Sequence, residues 1–412
     1  MLDLEALYRQ SLDALSPAAQ VTAELAHTGG LLMAVPQVTV IALGKAAPAM
    51  ARGAARALPG ARGLVVAAAE ADVPPGFELC VGDHPVPGER SLFAGDRALA
   101  LAQAETQGAL FLVSGGASAL CEVLAPGVSL ATLAACTQAL ISSGAPIEAI
   151  NAVRKHLSLL KGGQLAAACP AQVRHAYVLS DVVGGAPDAV GSGPASPDPT
   201  TFDDALEVFR ARDLPVDPQL LQVLGRGLRG EQPETPKPGD PRLDGVEVHV
   251  VSDVAALARA ARDAVQGAGL TPVPFAELAG ELMPAASALA QAARALAPGE
   301  VLVAAGEVTV RAAGPGEGGR AQHLACLLAR ELCDAPVQIL VAGSDGHDFT
   351  TAAAGAVLDG ASWSRAIERG LDPDYRLATF DSATLCRALG AQLPAFESGT
   401  NLTDLVLIAR TA

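Results

Sequence analysis

One arrangement recurs along this chain and limits what it can fold into. A short apolar run rich in β-branched residues is followed by Gly, Ser or an acid, and then by an Ala/Leu-rich helical pattern. Continuous apolar strands that alternate with helices predict mainly parallel sheets flanked by helices, an α/β fold. In such sheets ligands bind outside the carboxyl ends of the strands, so the polar residues there are candidate site residues. Six runs show the arrangement: 38–43, 110–113, 177–179, 246–251, 301–304 and 338–341.

Length and charge set further bounds. The chain has 412 residues, with 28 Lys and Arg against 44 Asp and Glu, a formal charge of −16. The length predicts two or three domains. The acidic balance and the lack of a Lys/Arg cluster argue against a nucleic-acid partner. No apolar run reaches the roughly 18 residues that indicate a membrane helix, so we expect a cytoplasmic protein without a membrane partner.

A proline-rich stretch at 230–245 is typical of a loop or linker, and four prolines lie among mixed charges there. We therefore place a domain boundary in it, which gives domains at 1–235 and 241–412. A second stretch rich in Gly and Pro, at 184–201, has the character of an insertion.

A glycine-rich turn follows the second apolar run. Ser114, Gly115, Gly116 and Ser118 lie between that run and an apolar pair. Adjacent glycines let backbone N–H groups converge on an anion, and a following helix adds favourable partial charge. A plain tight turn explains the same residues equally well.

The segment 151–163 carries two adjacent cations. Ile150, with residues 153, 157 and 160, follows helical spacing and predicts one buried helix face. Asn151, Arg154 and Lys155 lie on another face, together with Ser158. A solvated face is the common explanation for such a pair, but in so acidic a chain we favour anion binding.

Two further positions carry charge near predicted helix or strand ends. Arg320 falls near the start of a predicted helix, where a cation opposes the helix dipole by about 0.3–1 kcal/mol. Asp345 and Asp348 follow a strand and could hold a hard cation or supply a base, although capping and turn formation explain either one.

A dinucleotide-binding pattern is formally present from Gly314 to Gly319. It follows an isolated apolar triplet, and no acidic residue ends a second strand about 20 positions later. A hairpin or substrate loop is the favoured interpretation.

Taken in order, these motifs resemble the class II glycerate kinases, also called glycerate 2-kinases or the MOFRL family. The matching segments cover nearly the whole chain. They are Gly44-Lys45-Ala46-Ala47, His84-Pro85-Val86-Pro87, 114–120, Ser143-Gly144-Ala145 with 151–163, Ser180-Asp181-Val182-Val183-Gly184 with Ser192-Gly193-Pro194, Gly306-Glu307, Gly318-Gly319-Arg320, Ser344-Asp345-Gly346 with Ala353-Ala354-Gly355-Ala356, and Gly399-Thr400-Asn401.

The resemblance implies phosphorylation of D-glycerate at its 2-hydroxyl with ATP and Mg²⁺, in a cleft between a Rossmann-like N-terminal domain and a MOFRL-type C-terminal domain. It also implies catalytic roles for Lys45, Arg320 and Asp345. Lys45 and Arg320 would neutralise the phosphoryl group and the glycerate carboxylate, while Asp345 would orient or deprotonate the hydroxyl.

The remaining roles follow the same hypothesis. The turn with Ser114, Gly115, Gly116 and Ser118 would hold other anionic groups, as would the face with Asn151, Arg154 and Lys155. Asp181 and Glu307 would be the metal ligands. A homodimer is the candidate assembly.

Two alternatives remain open. Some relatives are labelled hydroxypyruvate reductases, a reaction that needs a nicotinamide site, for which the only candidate is the loop from Gly314 to Gly319. A non-catalytic metabolite-binding relative is the other alternative, because Gly185 and Ala186 stand where the family usually has acids.

Overall fold

The computed structural model describes residues 2–182, 186–276, 278–310, 314–349 and 351–411. Their backbone contacts divide the chain into two compact units. The first unit is Pro17–Ser252, and the second unit combines Met1–Ser16 with Asp253–Ala412. Part of the expected insertion at 184–201 and of the Ser-Asp-Val-Val-Gly motif lies outside the described residues.

The described strands form one six-stranded sheet in each unit. In chain order they are β1 Thr39–Leu43, β2 Arg62–Ala67, β3 Phe77–Val81, β4 Gly108–Val113, β5 Val173–Leu179, β6 Val246–Ser252, β7 Thr271–Pro274, β8 Glu300–Gly306, β9 Val337–Gly343, β10 Ala353–Asp359, β11 Gln392–Pro394 and β12 Asp404–Arg410. All six predicted runs are strands, with ends that differ by a few residues.

The described helices lie between the strands, with single 3₁₀ turns at Val190–Ser192 and Pro241–Leu243. They are α1 Leu4–Asp13, α2 Pro17–Thr28, α3 Gly30–Met33, α4 Ala47–Ala57, α5 Glu89–Ala104, α6 Ala117–Leu120, α7 Leu130–Ser142, α8 Ile147–His156, α9 Gln164–Ala167, α10 Phe202–Ala211, α11 Pro218–Leu228, α12 Val254–Gly267, α13 Leu282–Arg294, α14 Arg320–Glu331, α15 Ser362–Glu368, α16 Pro373–Ala378 and α17 Ser382–Leu389.

The sheet of the first unit is parallel throughout, in the order β3-β2-β1-β4-β5-β6. Every residue of the central strands β1 and β4 is buried. Helix α5 packs on one face through Ala94, Ala98 and Ala102, which share a core cluster with Ile41 and Phe111. Small residues at this spacing let the helix approach the sheet closely, which suits a chain with few aromatic residues.

The two sheets flanked by helices confirm the predicted α/β fold, but the sheet of the second unit is mainly antiparallel, unlike that of the first. Its order is β11-β10-β9-β12-β8-β7, and only the β7–β8 pair is parallel. Strand β12 comes from the C-terminal end of the chain and inserts between β8 and β9. The sequence predicted neither β12 nor β10, which pairs with β9 and β11.

The division between the units also differs from the predicted boundary. The proline-rich stretch at 230–245 is a loop, but strand β6 follows it and pairs with β5, so the loop lies within the first unit. Helix α1 belongs to the second unit, where it packs against α12. Sequence composition marked a loop correctly and could not show that one more strand belonged to the preceding sheet.

Candidate active site

The polar turns after β1 and β4 lie where the strand order of the first sheet reverses. Strands β2 and β3 lie on one side of β1, whereas β4 and β5 lie on the other. Such a switch point opens a crevice at the carboxyl ends of the strands, and ligands bind there in open α/β sheets. Lys45 follows β1, and Gly115 and Gly116 follow β4.

Backbone contacts bring the two turns together. The Lys45 backbone N–H donates to the Gly115 carbonyl (3.0 Å), and the Ala46 N–H donates to Ser114 Oγ (3.1 Å). Gly44 has a φ of 118°, and a Cβ on it would overlap Ser114. The glycine therefore permits a close approach that fixes Lys45 beside the glycine-rich turn.

Gly116 lies close to the side chains of Lys45 and His84 in this cluster. Its φ is 85°, and a Cβ there would lie 3.2 Å from Lys45 Cγ and 3.5 Å from the ring of His84. Lys45 is exposed, and none of the described residues gives its ammonium an ion-pair or hydrogen-bond partner. Loss of hydration around the ring and the Lys45 charge lower the pKa of His84 to about 4. The cluster therefore offers one uncompensated positive charge beside a neutral imidazole at pH 7.

A chain of side-chain hydrogen bonds links Ser118 and Asn151, two predicted binding residues. Ser118 Oγ lies 2.7 Å from Ser192 Oγ, which in turn donates to Asn151 Oδ1 (2.7 Å). Asn151 Nδ2 donates to the Ala189 carbonyl (2.9 Å). The connecting residue, Ser192, was not among the predicted site residues. The Ser-Gly-Pro motif that begins at Ser192 was the feature of the sequence that could have identified it. Ser192 has a φ of 58°.

Lys155 is buried and pairs with two acids of the chain, whereas its predicted role was to bind an anionic ligand. Only 2% of Lys155 is exposed, and its Nζ lies 2.8 Å from Asp188 Oδ2 and 3.2 Å from Asp198 Oδ1. Burial alone would raise the pKa of Asp198, but the Lys155 charge and hydrogen bonds from Thr200 and Thr235 hold it below its usual value. This lysine neutralises the buried carboxylate of Asp198 and the partly exposed one of Asp188.

The predicted helical face also ends early. Helix α8 stops at His156, so Ser158 lies beyond it and donates to Glu122 Oε1 (2.5 Å). Arg154 is the cation of this face that stays available. It is half-buried, burial lowers its pKa, and the described residues supply no ion-pair or hydrogen-bond partner for its guanidinium.

Strand register assembles a second cluster in the second unit. Asp404, the first residue of β12, lies opposite Gly306 of β8 on one side and Gly343 of β9 on the other. Because these pairings are antiparallel, the start of β12 meets the ends of both neighbours. Glu307 and Asp345 follow those ends, so three acids share one edge of the sheet.

Arg320 is the first residue of helix α14, as predicted, and joins this edge. Its Nε donates to Asp404 Oδ2 (2.6 Å), its Nη2 donates to Asp404 Oδ1 (3.2 Å), and its Nη1 donates to Glu307 Oε1. Burial disfavours the guanidinium, but the carboxylates more than offset that and raise its pKa. Burial raises the pKa of Asp404, an effect that Arg320 opposes. With every group ionised, three acids and one arginine carry a net charge of −2.

Asp345 and Asp348 have separate surroundings. Asp345 is partly exposed, and its Oδ1 accepts the His347 N–H (3.0 Å). Asp348 is buried and accepts the backbone N–H groups of Ala321 (3.0 Å) and Gln322 (2.9 Å). Asp348 thus caps helix α14, where its charge also favours the helix dipole. Only Asp345 stays available to a ligand.

The dinucleotide-like loop is packed against protein. Gly314 and Gly316 lie against the backbone of Thr379, and Gly319 lies against the Asp348 carboxylate. In a dinucleotide-binding turn the pyrophosphate sits at the helix N-terminus. Here Asp348 already accepts N–H groups at that terminus.

The predicted metal ligands Asp181 and Glu307 belong to different units. Each has an interaction partner, and Glu307 pairs with Arg320. Among the described residues, the ligand atoms of the acids around Arg320 do not converge closely enough to form a metal-binding trio by themselves. The metal pair stays a prediction.

Two sequence-family profiles match the chain. A domain of unknown function (DUF4147) matches residues 3–225, and the MOFRL family matches residues 300–404. D-glycerate 2-kinase of Thermotoga maritima is 34% identical over 387 residues, which cover 90% of each chain.

The chain belongs to the glycerate 2-kinase (MOFRL) family. A crystal structure of glycerate kinase from Thermotoga maritima superposes with a TM-score of 0.84 at 33% identity, covering 98% of each chain. A relative from Agrobacterium vitis, named as a putative hydroxypyruvate reductase, is 34% identical and covers 89% of this chain and 85% of its own. Within the described residues, no helix combines the length and apolarity needed to cross a bilayer.

Proposed function

We propose that this protein is a kinase that transfers the γ-phosphoryl group of ATP to the 2-hydroxyl of D-glycerate, giving 2-phosphoglycerate and ADP. The observation that carries the proposal is Lys45, a cation with no ion-pair or hydrogen-bond partner for its ammonium among the described residues, beside the positive-φ Gly116 at the switch point of the first sheet. The 34% sequence identity to D-glycerate 2-kinase of Thermotoga maritima, which extends over 90% of both chains, favours the same phosphoryl donor and acceptor.

In the first unit, the proposed task is to hold phosphate oxygens. Phosphoryl transfer depends mainly on positioning and on neutralising spread negative charge, which Lys45 can do without losing another ion pair. Gly116 has no side chain, so an oxygen can approach the backbone there. Arg154, also without a partner among the described residues, is the second candidate for an anionic group in this unit.

In the second unit, the proposed task is to prepare the acceptor. Asp345 accepts or orients the proton of the 2-hydroxyl. The hydroxyl oxygen of glycerate then bonds to the γ-phosphorus while the bond from that phosphorus to the ADP oxygen breaks. Arg320 makes two hydrogen bonds to the buried Asp404, whereas its contact with the exposed Glu307 can be exchanged for a substrate carboxylate. The two bonds to Asp404 thereby fix the direction of the guanidinium.

The acidic edge of the second unit also fits Mg²⁺. Mg²⁺ prefers oxygen ligands and is usually held by one or two carboxylates plus substrate phosphates. Glu307 and Asp345 are the partly exposed acids there, and the net charge of −2 suits a divalent ion. Asp181 remains the proposed ligand in the first unit. When bound, Mg²⁺ would neutralise phosphate charge as the transfer proceeds.

An assay of ADP release tests the proposal. Purified protein is supplied with ATP, Mg²⁺ and D-glycerate, L-glycerate or a related hydroxy acid, and ³¹P NMR identifies the product. We expect D-glycerate to be the preferred acceptor and 2-phosphoglycerate the product. Phosphorylation at the 3-hydroxyl would refute the position of transfer, and no ADP release with any acceptor would refute kinase activity.

Two variants test the assigned roles. Lys45→Ala should lower turnover by roughly 10²- to 10³-fold, as removal of a positioned electrostatic donor does. Asp345→Asn should lower it by about 10²- to 10⁴-fold, because it removes the proton acceptor. In the double variant, a fold-reduction in turnover smaller than the product of the two single fold-reductions would indicate that both residues act on one step. Unchanged turnover in either single variant would remove that residue from the mechanism.

Reduction of hydroxypyruvate is the second candidate, favoured by the name of the Agrobacterium vitis relative. The capped helix α14 argues against a nicotinamide dinucleotide at the loop from Gly314 to Gly319. Incubation with hydroxypyruvate and NADH or NADPH, followed at 340 nm, should show no turnover. The homodimer stays a prediction, which light scattering of the purified protein measures.

A further inference from the structure

Three potential metal ligands lie on one face at the edge of the first sheet. His175 is on β5, and Glu247 and His249 are on the edge strand β6. The parallel register places His175 beside Glu247, and His249 lies two residues further along β6. Residues two apart on a strand point to the same face, so all three side chains project from the same side.

Two imidazole nitrogens in this group are buried and accept or donate no hydrogen bond to any residue that the structure describes. They are Nδ1 of His175 and Nε2 of His249. His175 is only 2% exposed, so its nitrogen cannot be satisfied by bulk water. A buried polar atom without a partner costs about 1–3 kcal/mol, and such an atom in a folded protein calls for a ligand, an ion or an ordered water.

Both unpaired nitrogens face the same carboxylate oxygen at distances too long for good hydrogen bonds. Glu247 Oε2 lies 3.7 Å from His175 Nδ1 and 3.5 Å from His249 Nε2. One ligand atom from each of the three residues lies within 4.8 Å of the others. A tetrahedral ion with bonds of about 2.1 Å holds its ligands roughly 3.4 Å apart, which matches both nitrogen–oxygen distances.

We infer that His175, Glu247 and His249 form a binding site for a first-row transition metal ion of the Zn²⁺ type. Two imidazoles and one carboxylate are a common ligand set for such ions, and the set leaves a fourth position for water. The Glu247 side chain is 51% exposed, so the ion can enter and a water can reach it from solvent.

Neighbouring residues suit this role. Glu24 Oε1 on helix α2 lies 3.2 Å from His249 Nδ1 and favours a proton on that nitrogen, which leaves Nε2 free to bind metal. All four residues belong to the first unit.

A bound ion would join the edge strand β6 to β5. Among the described strands, β6 pairs with β5 alone, and the β5–β6 pairing shifts register after Val178. A ligand that binds the folded state alone stabilises it by mass action. We therefore expect Zn²⁺ to raise the unfolding temperature of the first unit.

Calorimetric titration of metal-free protein with ZnCl₂ tests the site. Chelator-treated, desalted protein is titrated in excess Mg²⁺, so that acidic sites for hard cations are already occupied. We expect one Zn²⁺ per chain, and Co²⁺ should give the visible absorption of a four-coordinate site without the charge-transfer band of a thiolate ligand. Failure of the unsubstituted protein to bind Zn²⁺ or Co²⁺ would overturn the inference.

Variants separate this site from adventitious binding. His175→Ala and the half-exposed Glu247→Gln should each weaken Zn²⁺ binding at least tenfold and abolish the Zn²⁺-dependent rise in unfolding temperature. Glu24→Gln should weaken binding by about 10- to 100-fold. His27→Ala, on the exposed side of the same helix as Glu24, is the matched control and should bind normally. Equal affinity in Glu247→Gln and the control would show that the ion binds elsewhere.

Discussion

Replacement of Lys155 by Met distinguishes a structural cation from a substrate-binding one. The substitution keeps the apolar stem and removes the ammonium that contacts Asp188 and Asp198. Asp198 is 0% exposed, so the change leaves a buried carboxylate without its cation. The loss should appear as reduced stability, whereas a substrate-binding lysine would change KM instead.

The magnitude follows from the contacts that remain. Removal of one partner from a buried ion pair costs about 3–5 kcal/mol. Thr200 and Thr235 still donate hydrogen bonds to Asp198, so we expect the lower end, about 3 kcal/mol. With a urea m-value near the upper end of about 1–3 kcal/mol per M, the unfolding midpoint should fall by about 1 M.

The pH dependence of the stability provides an independent test of the structural role of Lys155. In the unsubstituted protein the pKa of Asp198 is below its usual value, so its contribution to stability is present above about pH 4 and lost as pH falls further. Without Lys155, burial raises that pKa, and the folded state then binds the proton more readily than the unfolded chain. The stability deficit of Lys155→Met should therefore become smaller as the pH falls below about 7, because protonation of Asp198 removes the buried charge.

Urea unfolding followed by far-ultraviolet circular dichroism measures both effects. Asp198→Asn in the Lys155→Met background should recover part of the lost stability, because the fully buried charge is removed and only the partly exposed Asp188 lacks its cation. Lys45→Met is the matched control: Lys45 is exposed, so its loss should lower turnover and leave the urea midpoint unchanged. A Lys155→Met protein of normal stability with a KM raised tenfold or more would refute the structural role.

Three further predictions concern residues that support the two clusters of candidate site residues. Gly116→Ala places a Cβ at a φ of 85° and 3.2 Å from Lys45 Cγ, so it should cost about 1–2 kcal/mol in urea unfolding and raise the KM for ATP. Tyr8→Phe removes the hydrogen bond from the Tyr8 hydroxyl to the Gly343 carbonyl (2.6 Å) and should cost about 1 kcal/mol by the same measurement. Asp348→Ala removes the cap of helix α14 and should lower the unfolding temperature, with a cost of at least 0.5–2 kcal/mol. Unchanged stability in any of these variants would contradict the role assigned to that residue.

The centre of the first sheet could be predicted from sequence because β1 and β4 are buried along their whole length, whereas β2 and the less buried β3 were not predicted. Strands β1 and β4 stand out as continuous apolar runs, and the chemistry follows each run directly. Strand β12 carries an equally apolar run, but its acid precedes the run instead of following it. Asp404 was missed because an antiparallel strand presents its first residue, not its last, at the edge where its neighbours end.

The sequence by itself determined the alternation of strands and helices, the glycine-rich turn beside Lys45 and the family to which the chain belongs. These features are local, since apolar spacing records burial and glycine records backbone geometry. Tertiary structure alone decided which charges are available. Lys155 pairs with Asp198, 43 residues away in sequence, and Arg320 pairs with Asp404, 84 residues away. Lys45, by contrast, pairs with no carboxylate among the described residues. Pairing between distant residues depends on the packing of whole elements, and no local pattern records it.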